Sequence, residues 1–135
     1  MSTDATRATV EAYYAALTTG NREAVRALLS DDCCWVPPAT TPFDTMTGGA
    51  EIAAELGGRV VKRTFDISKP LNLEVRRIVA DGDVAVVQQR LTATAKATGQ
   101  PYDNQYCWVY TVSNGKIVHM EEYVDTLLAS RVMGW

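Results

Sequence analysis

Two tight-turn signals, Asp81-Gly82 and Asn114-Gly115, each set between β-rich stretches, constrain this chain more than any other feature. Asp-Gly and Asn-Gly accept the positive φ that a two-residue hairpin demands, and such hairpins join antiparallel neighbours. Four runs, roughly 66–80, 83–97, 101–113 and 116–125, then read as a meander, with Thr98-Gly99-Gln100 turning the middle connection. Strands this long in a small chain bend or coil strongly.

The first half has the other periodicity. Val10, Tyr13, Tyr14 and Leu17 form the apolar stripe of a helix over residues 4–19, stopped at Gly20. Asn21 is a ready N-cap for a second helix burying Val25, Leu28 and Leu29. Asp31-Asp32 breaks it, Cys33–Val36 reads as a short strand halted by Pro37-Pro38, and residues 39–48 as a loop. A third helix over about 50–62 carries Ile52, Ala53 and Leu56, weakened at Gly57-Gly58. Helices first and a meander after predict an α+β domain over residues 1–135, its helices packed on one face of a curved antiparallel sheet.

Alternation along the strands sorts the side chains by face. In the last strand Val118, Met120, Glu122 and Val124 share one face; Ile117, His119, Glu121, Tyr123 and Asp125 share the other. The first set is apolar but for Glu122 and is expected to point inward. In the preceding strand the inward set is Asn104, Tyr106, Trp108, Tyr110 and Val112, an aromatic wall able to border a small-molecule pocket. An acid on such a face loses hydration and its pKa rises, unless a cation such as Arg90 pairs with it. The face of Arg90 is left open, because Val84 and Val86 lie on its side while Ala85, Val87 and Leu91 lie opposite. Glu122 is therefore the candidate proton relay or, if ion-paired, a structural acid. Tyr13 and Tyr14 are either core residues or pocket contacts, and Trp35 is a further aromatic candidate.

Other chemistries have little footing. Cys33, Cys34 and Cys107 are odd in number and two are adjacent, a poor disulfide framework; with His119 alone there is no metal-ligand spacing. Net charge is −3 with a pI near 5.1, so nucleic acid is not an expected partner. No apolar run approaches the ~20 residues of a membrane span. The opening Met-Ser-Thr-Asp-Ala-Thr-Arg lacks the order of a signal peptide, and a cytoplasmic location is expected. Apolar groups on the outer strand face (Cys107, Val109, Ile117, Tyr123) predict a homodimer through the sheet.

Three stretches carry a resemblance: Val10-Glu11-Ala12-Tyr13-Tyr14-Ala15-Ala16-Leu17, Leu28-Leu29-Ser30-Asp31-Asp32, and the closing Val112-Ser113-Asn114-Gly115-Lys116-Ile117-Val118. Together they resemble the nuclear transport factor 2-like superfamily over about residues 6–130, most of all its SnoaL-like and ketosteroid-isomerase-like small proteins. The resemblance implies a conical α+β barrel with a deep pocket, no cofactor, and Tyr13, Tyr14, Trp35, Arg90, Asn104, Tyr106, Trp108, Tyr110 and Met120 around a small ligand. Against ketosteroid isomerases Tyr13 matches, but the two acid positions fall on Pro37 and Trp108. Against limonene-epoxide-hydrolase-like enzymes Arg90 matches, but Thr92 stands for the aspartate and Trp35 and Pro37 for the water clamp. SnoaL-like cyclases place an acid where Glu122 stands and a histidine where Trp108 stands. The phenazine-biosynthesis A/B proteins are similar at Tyr102-x-Asn104, Tyr106, Tyr110 and Glu122-Tyr123, with a histidine where Glu55 stands. The resemblance implies a cofactor-free cyclase, isomerase or condensing enzyme with Glu122 as the acid/base. A non-catalytic ligand-binding or scaffold domain is the alternative, and a transport adaptor a third.

Overall fold

The computed structural model describes residues 2–135; Met1, part of the expected 1–135 domain, lies outside the described residues. Helix α1 (Thr3–Thr18) is capped by the Ser2 hydroxyl, which accepts from Ala5 N–H. Helix α2 (Arg22–Ala27) is capped by Asn21, whose side chain accepts from Ala24 N–H. Strands β1 (Leu29–Val36) and β2 (Met46–Thr47) follow, then α3 (Gly49–Ala54), a π-helical turn at Glu55–Arg59 and α4 (Val60–Thr64). The expected third helix is thus bent at its glycine pair. Strands β3 (Asn72–Asp81), β4 (Val84–Thr94), β5 (Pro101–Ser113) and β6 (Lys116–Val124) form the meander, and α5 (Thr126–Met133) closes the order.

All six strands form one curved, unclosed sheet in the order β2-β1-β6-β5-β4-β3. The α+β expectation holds, with one departure from an antiparallel sheet: β1 runs parallel to β6. A parallel pair needs a long crossover, and the helices and meander between β1 and β6 supply it. At the last hairpin Asn114 and Gly115 both take positive φ, as the turn requires. Gly49 is demanded by contact instead, since a Cβ there would meet the Ser30 carbonyl oxygen at 2.1 Å, where α3 lies against β1.

Three sequence expectations need correction. Strand β3 starts at Asn72, not 66, because the Asp66 carboxylate accepts from the Ser68 N–H and O–H in a local turn and Pro70 has no N–H to give. Strand β1 starts at Leu29, so Asp31 and Asp32 lie inside it, exposed at a register irregularity where Arg26 pairs with Asp31. In β6 the pairing shifts from Val112–Ile117 to Thr111–His119, which leaves Val118 as a bulge residue. Ile117 consequently turns inward and is buried, contrary to simple alternation, while Met120 remains on the inner face.

The inner sheet face and α1 share the main core, including Val10, Leu29, Ile52, Val87, Ile117 and Met120. A smaller cluster of Phe65, Ala95, Tyr102, Ala129 and Met133 packs under α5. No helix among the described residues is long and apolar enough to cross a membrane.

Candidate functional site

Between these clusters lies a cavity of about 430 Å³. Its floor is the inner face of β4, β5 and β6, its roof α1 and the bent α3–α4 turn, and its mouth is flanked by Phe43, Leu71 and Trp135. The Phe43 ring stands 6.0 Å from Trp35 and 5.6 Å from Trp135, so an aromatic chain leads from the mouth inward. Of the residues expected around a ligand, Tyr13, Tyr14, Trp35, Tyr106, Trp108, Tyr110 and Glu122 line this cavity.

Strand register puts them there. Glu122 stands directly opposite Trp108, and Tyr106 directly opposite Gln89. On the shared inner face, Gln89, Trp108 and Glu122 therefore form a diagonal across three strands, where such neighbours lie within reach of long side chains. The Trp108 ring stacks on Tyr110 at 5.9 Å and 6°.

Among the described residues Glu122 is the only acid lining the cavity, and no Lys, Arg or His lines it. Removal from water pushes its carboxyl pKa up to about 7; the one opposing contact is the Trp35 Nε1–H, which donates to Oε1 at 3.1 Å. Tyr14 and Tyr110 hydroxyls hydrogen bond each other at 2.7 Å, as do those of Tyr102 and Tyr106. Burial holds all four phenols above their ordinary value. Tyr13 is raised as well, by burial first and then by the nearby Cys33 and Glu122 charges.

Three expected ligand contacts lie elsewhere. Arg90 points to the outer face, gripping Asp103 through Nε and Nη2 at 2.8 and 2.6 Å. The reason is that Ala85 and Val87 take the inner positions of β4, both fully buried, which sends the even residues out. Asn104 is buried but occupied: its Nδ2 donates to Tyr102 Oη and the Asp125 carbonyl, and its Oδ1 accepts from Gln105 N–H. Met120 is sealed in the core. Conversely, Gln89 lines the cavity and was not singled out by the sequence, since apolar residues flank it on both faces of β4. The signal that finds it is the β4–β5 register, which pairs Gln89 with the inward Tyr106.

Two other possible sites are less complete. A groove of about 420 Å³ lies among Arg22, Arg26, Arg59 and Lys62, but Arg26 is already paired with Asp31 and Arg59 with Glu51. Cys33 is a buried free thiol pushed up to about 12 by desolvation, which makes it a poor nucleophile. Among the described residues no group of three or more His, Cys, Asp or Glu comes together as a metal site.

Comparison with known proteins matches residues 10–120 to the SnoaL-like domain. No curated protein matches in sequence. Solved structures with a similar fold include an NTF2-like protein from Burkholderia thailandensis E264 (26% identity, 98% of each chain, TM-score 0.84). An NTF2-like protein from Burkholderia xenovorans LB400 is similar at 25% identity, over 98% of each chain, with TM-score 0.81. An LEH-like epoxide hydrolase from M. tuberculosis shares the fold at 22% identity, over 97% of this chain and 90% of its own, with TM-score 0.72.

Proposed function

The chain belongs to the SnoaL-like domain family, and from that footing we propose that it is a cofactor-free acid/base enzyme of cyclase, isomerase or condensation type. Its substrate is a mostly apolar, cyclic metabolite held in the aromatic cavity. The observation that carries this reading is Glu122: one carboxyl in an aromatic cavity without a cation, with a pKa near 7. At neutral pH both protonation states are populated, so one side chain can take a proton and return it. The carboxylate removes a proton from the carbon beside a polarised group. The resulting carbanion equivalent is reprotonated elsewhere by the same carboxyl, or attacks a second electrophilic carbon whose oxygen that carboxyl then protonates. Tyr13, beside Glu122, and the rings of Tyr14, Trp35, Tyr106, Trp108 and Tyr110 would hold the substrate in place.

The test is solvent-deuterium incorporation into a panel of cyclic ketones and keto acids, followed by NMR. Wild type is expected to accelerate exchange in at least one member, and Glu122→Gln to lose about 10²–10⁴-fold of that rate. A Glu122→Gln protein that exchanges as fast as wild type would favour the second reading, a non-catalytic binding domain. That reading draws on Pro37, Thr92 and Trp108, which stand where related enzymes keep further acids or bases.

We also propose a homodimer through the outer sheet face. Val79 and Tyr123 lie on that face, 54% and 55% exposed, beside Val86, Cys107 and Val109. Sedimentation at micromolar concentration should give twice the 14.8 kDa chain mass; a monomer would refute it.

A further inference from the structure

The inner sheet face holds two kinds of buried polar side chain. At one end Asn104, Tyr102 and Tyr106 satisfy one another, and Asn104 also engages the Asp125 carbonyl and the Gln105 N–H. Tyr14 and Tyr110 likewise satisfy each other. A second group does not. Gln89 is only 6% exposed, and its amide makes no hydrogen bond among the described residues. Tyr13, 2% exposed, also has an unpaired hydroxyl, and Trp108 Nε1–H is buried with no acceptor. All three border the same cavity.

Of the three, only the Trp108 Nε1–H is sealed from solvent, whereas the Gln89 amide and the Tyr13 hydroxyl open on the cavity; three polar groups without protein partners around one void mark a place where something else supplies them. The chemistry of that partner follows from theirs. A phenol O–H, an indole N–H and an amide NH2 all donate, and the indole can do nothing else. The ligand must therefore offer acceptor oxygen. It must also be uncharged: among the described residues no cation lines the cavity to receive an anion, and Glu122 would face a carboxylate with like charge in a site poor in water.

We propose that Gln89, with Tyr13 and Trp108, forms a neutral donor set that anchors an uncharged carbonyl compound in this cavity and turns carboxylates away. Gln89 is the anchor with most reach, on the strand farthest from Glu122 along the diagonal through Trp108. A ligand spanning that diagonal holds its carbonyl end at Gln89 or Trp108 and presents its reacting carbon toward Glu122. The inference deepens the acid/base reading, because it names the substrate class of the same cavity, but it is a statement about binding and is tested without turnover.

The probe is 2-adamantanone, an apolar cage ketone whose bridgehead geometry prevents enolisation, so binding is read apart from any proton transfer. The comparator is adamantane-2-carboxylate. Binding is followed by tryptophan fluorescence near pH 8, where Glu122 is mostly ionised, and by the infrared stretch of the ¹³C-labelled ketone. Wild type is expected to bind the ketone at least about tenfold more tightly than the carboxylate, with the carbonyl stretch lowered by hydrogen bonding. Gln89→Met, close in volume, should weaken the ketone about five- to tenfold and raise the stretch; Tyr13→Phe should move both in the same direction. Equal affinity for ketone and carboxylate in wild type, absence of ketone binding, or a Gln89→Met protein with unchanged affinity and stretch would each overturn the proposal. The wild-type ligand comparison keeps the test decisive even if a variant folds poorly. Loss of Glu122→Gln turnover with no ketone preference would leave the acid/base reading standing and this one refuted.

Discussion

Glu55, in the bent helical roof, and Glu122, on the sheet floor, are both withdrawn from bulk water, but their surroundings differ in kind. Glu55 receives the Arg63 guanidinium at both oxygens, 3.3 and 2.5 Å away, with Arg59 4.0 Å from Oε1. It ties the π-helical turn to α4, and its charge is matched where it stands. Glu122 receives a single indole N–H and otherwise faces aromatic rings and an open cavity. A matched buried acid is a fastener, whereas an unmatched one is held in a state it can leave by taking up a proton. The difference distinguishes a charge-matched carboxylate from an unmatched one without reference to any relative.

The largest effect expected from breaking this contrast is on the pH dependence of stability. A carboxyl whose folded pKa lies near 7, above its ordinary value of 4.5, binds more protons folded than unfolded. The stability it confers is therefore complete below pH 4.5 and is lost as pH rises through 7. Glu122→Gln mimics the protonated form. It should match wild type in acid and exceed it at mildly alkaline pH, by on the order of 2–3 kcal/mol. Denaturant melts at both ends of the range check this, and parallel curves for the two proteins would contradict it.

Glu55→Gln should behave in the opposite way. It breaks the pairing with Arg63 and should destabilise the protein by about 1 kcal/mol, because both arginines are exposed to water. Deuterium exchange at Gly57 and Gly58 amides should rise, while α-proton exchange into substrate stays near wild type. An exchange defect as large as that of Glu122→Gln would merge the two roles.

The smallest effect is a fine adjustment of Glu122. Trp35 is the contact that lowers its pKa, so Trp35→Phe should raise the Glu122 midpoint further. A fall would mean that Trp35 acts mainly by excluding water.

What was legible in the sequence follows the range of the forces involved. Helix caps at Ser2 and Asn21 and the Asn114-Gly115 turn are local chemistry, and Asn21 and the turn could be read directly. Inward placement of Tyr106, Trp108 and Tyr110 followed from alternation because β5 keeps its phase, and that of Glu122 because β6 alternates regularly beyond its bulge and pairs Glu122 with Trp108. Alternation failed at Ile117, where the Val118 bulge advances the face by one residue, a consequence of how β6 docks on β5. In β4 valines and alanines occupy both faces, so neither the outward turn of Arg90 nor the inward turn of Gln89 could be read before the register was known. Glu55 met Arg63 through a helix whose bend depends on packing over the sheet.

The central claim is that Glu122 titrates near neutrality inside the cavity, and ¹³C-carboxyl NMR on glutamate-labelled protein measures it most directly. The Glu122 resonance is assigned by its absence in Glu122→Gln and followed through pH. A midpoint near 7 is the expected result; a midpoint near the ordinary 4.5 would show a hydrated, permanently ionised carboxylate and contradict its use as the proton relay.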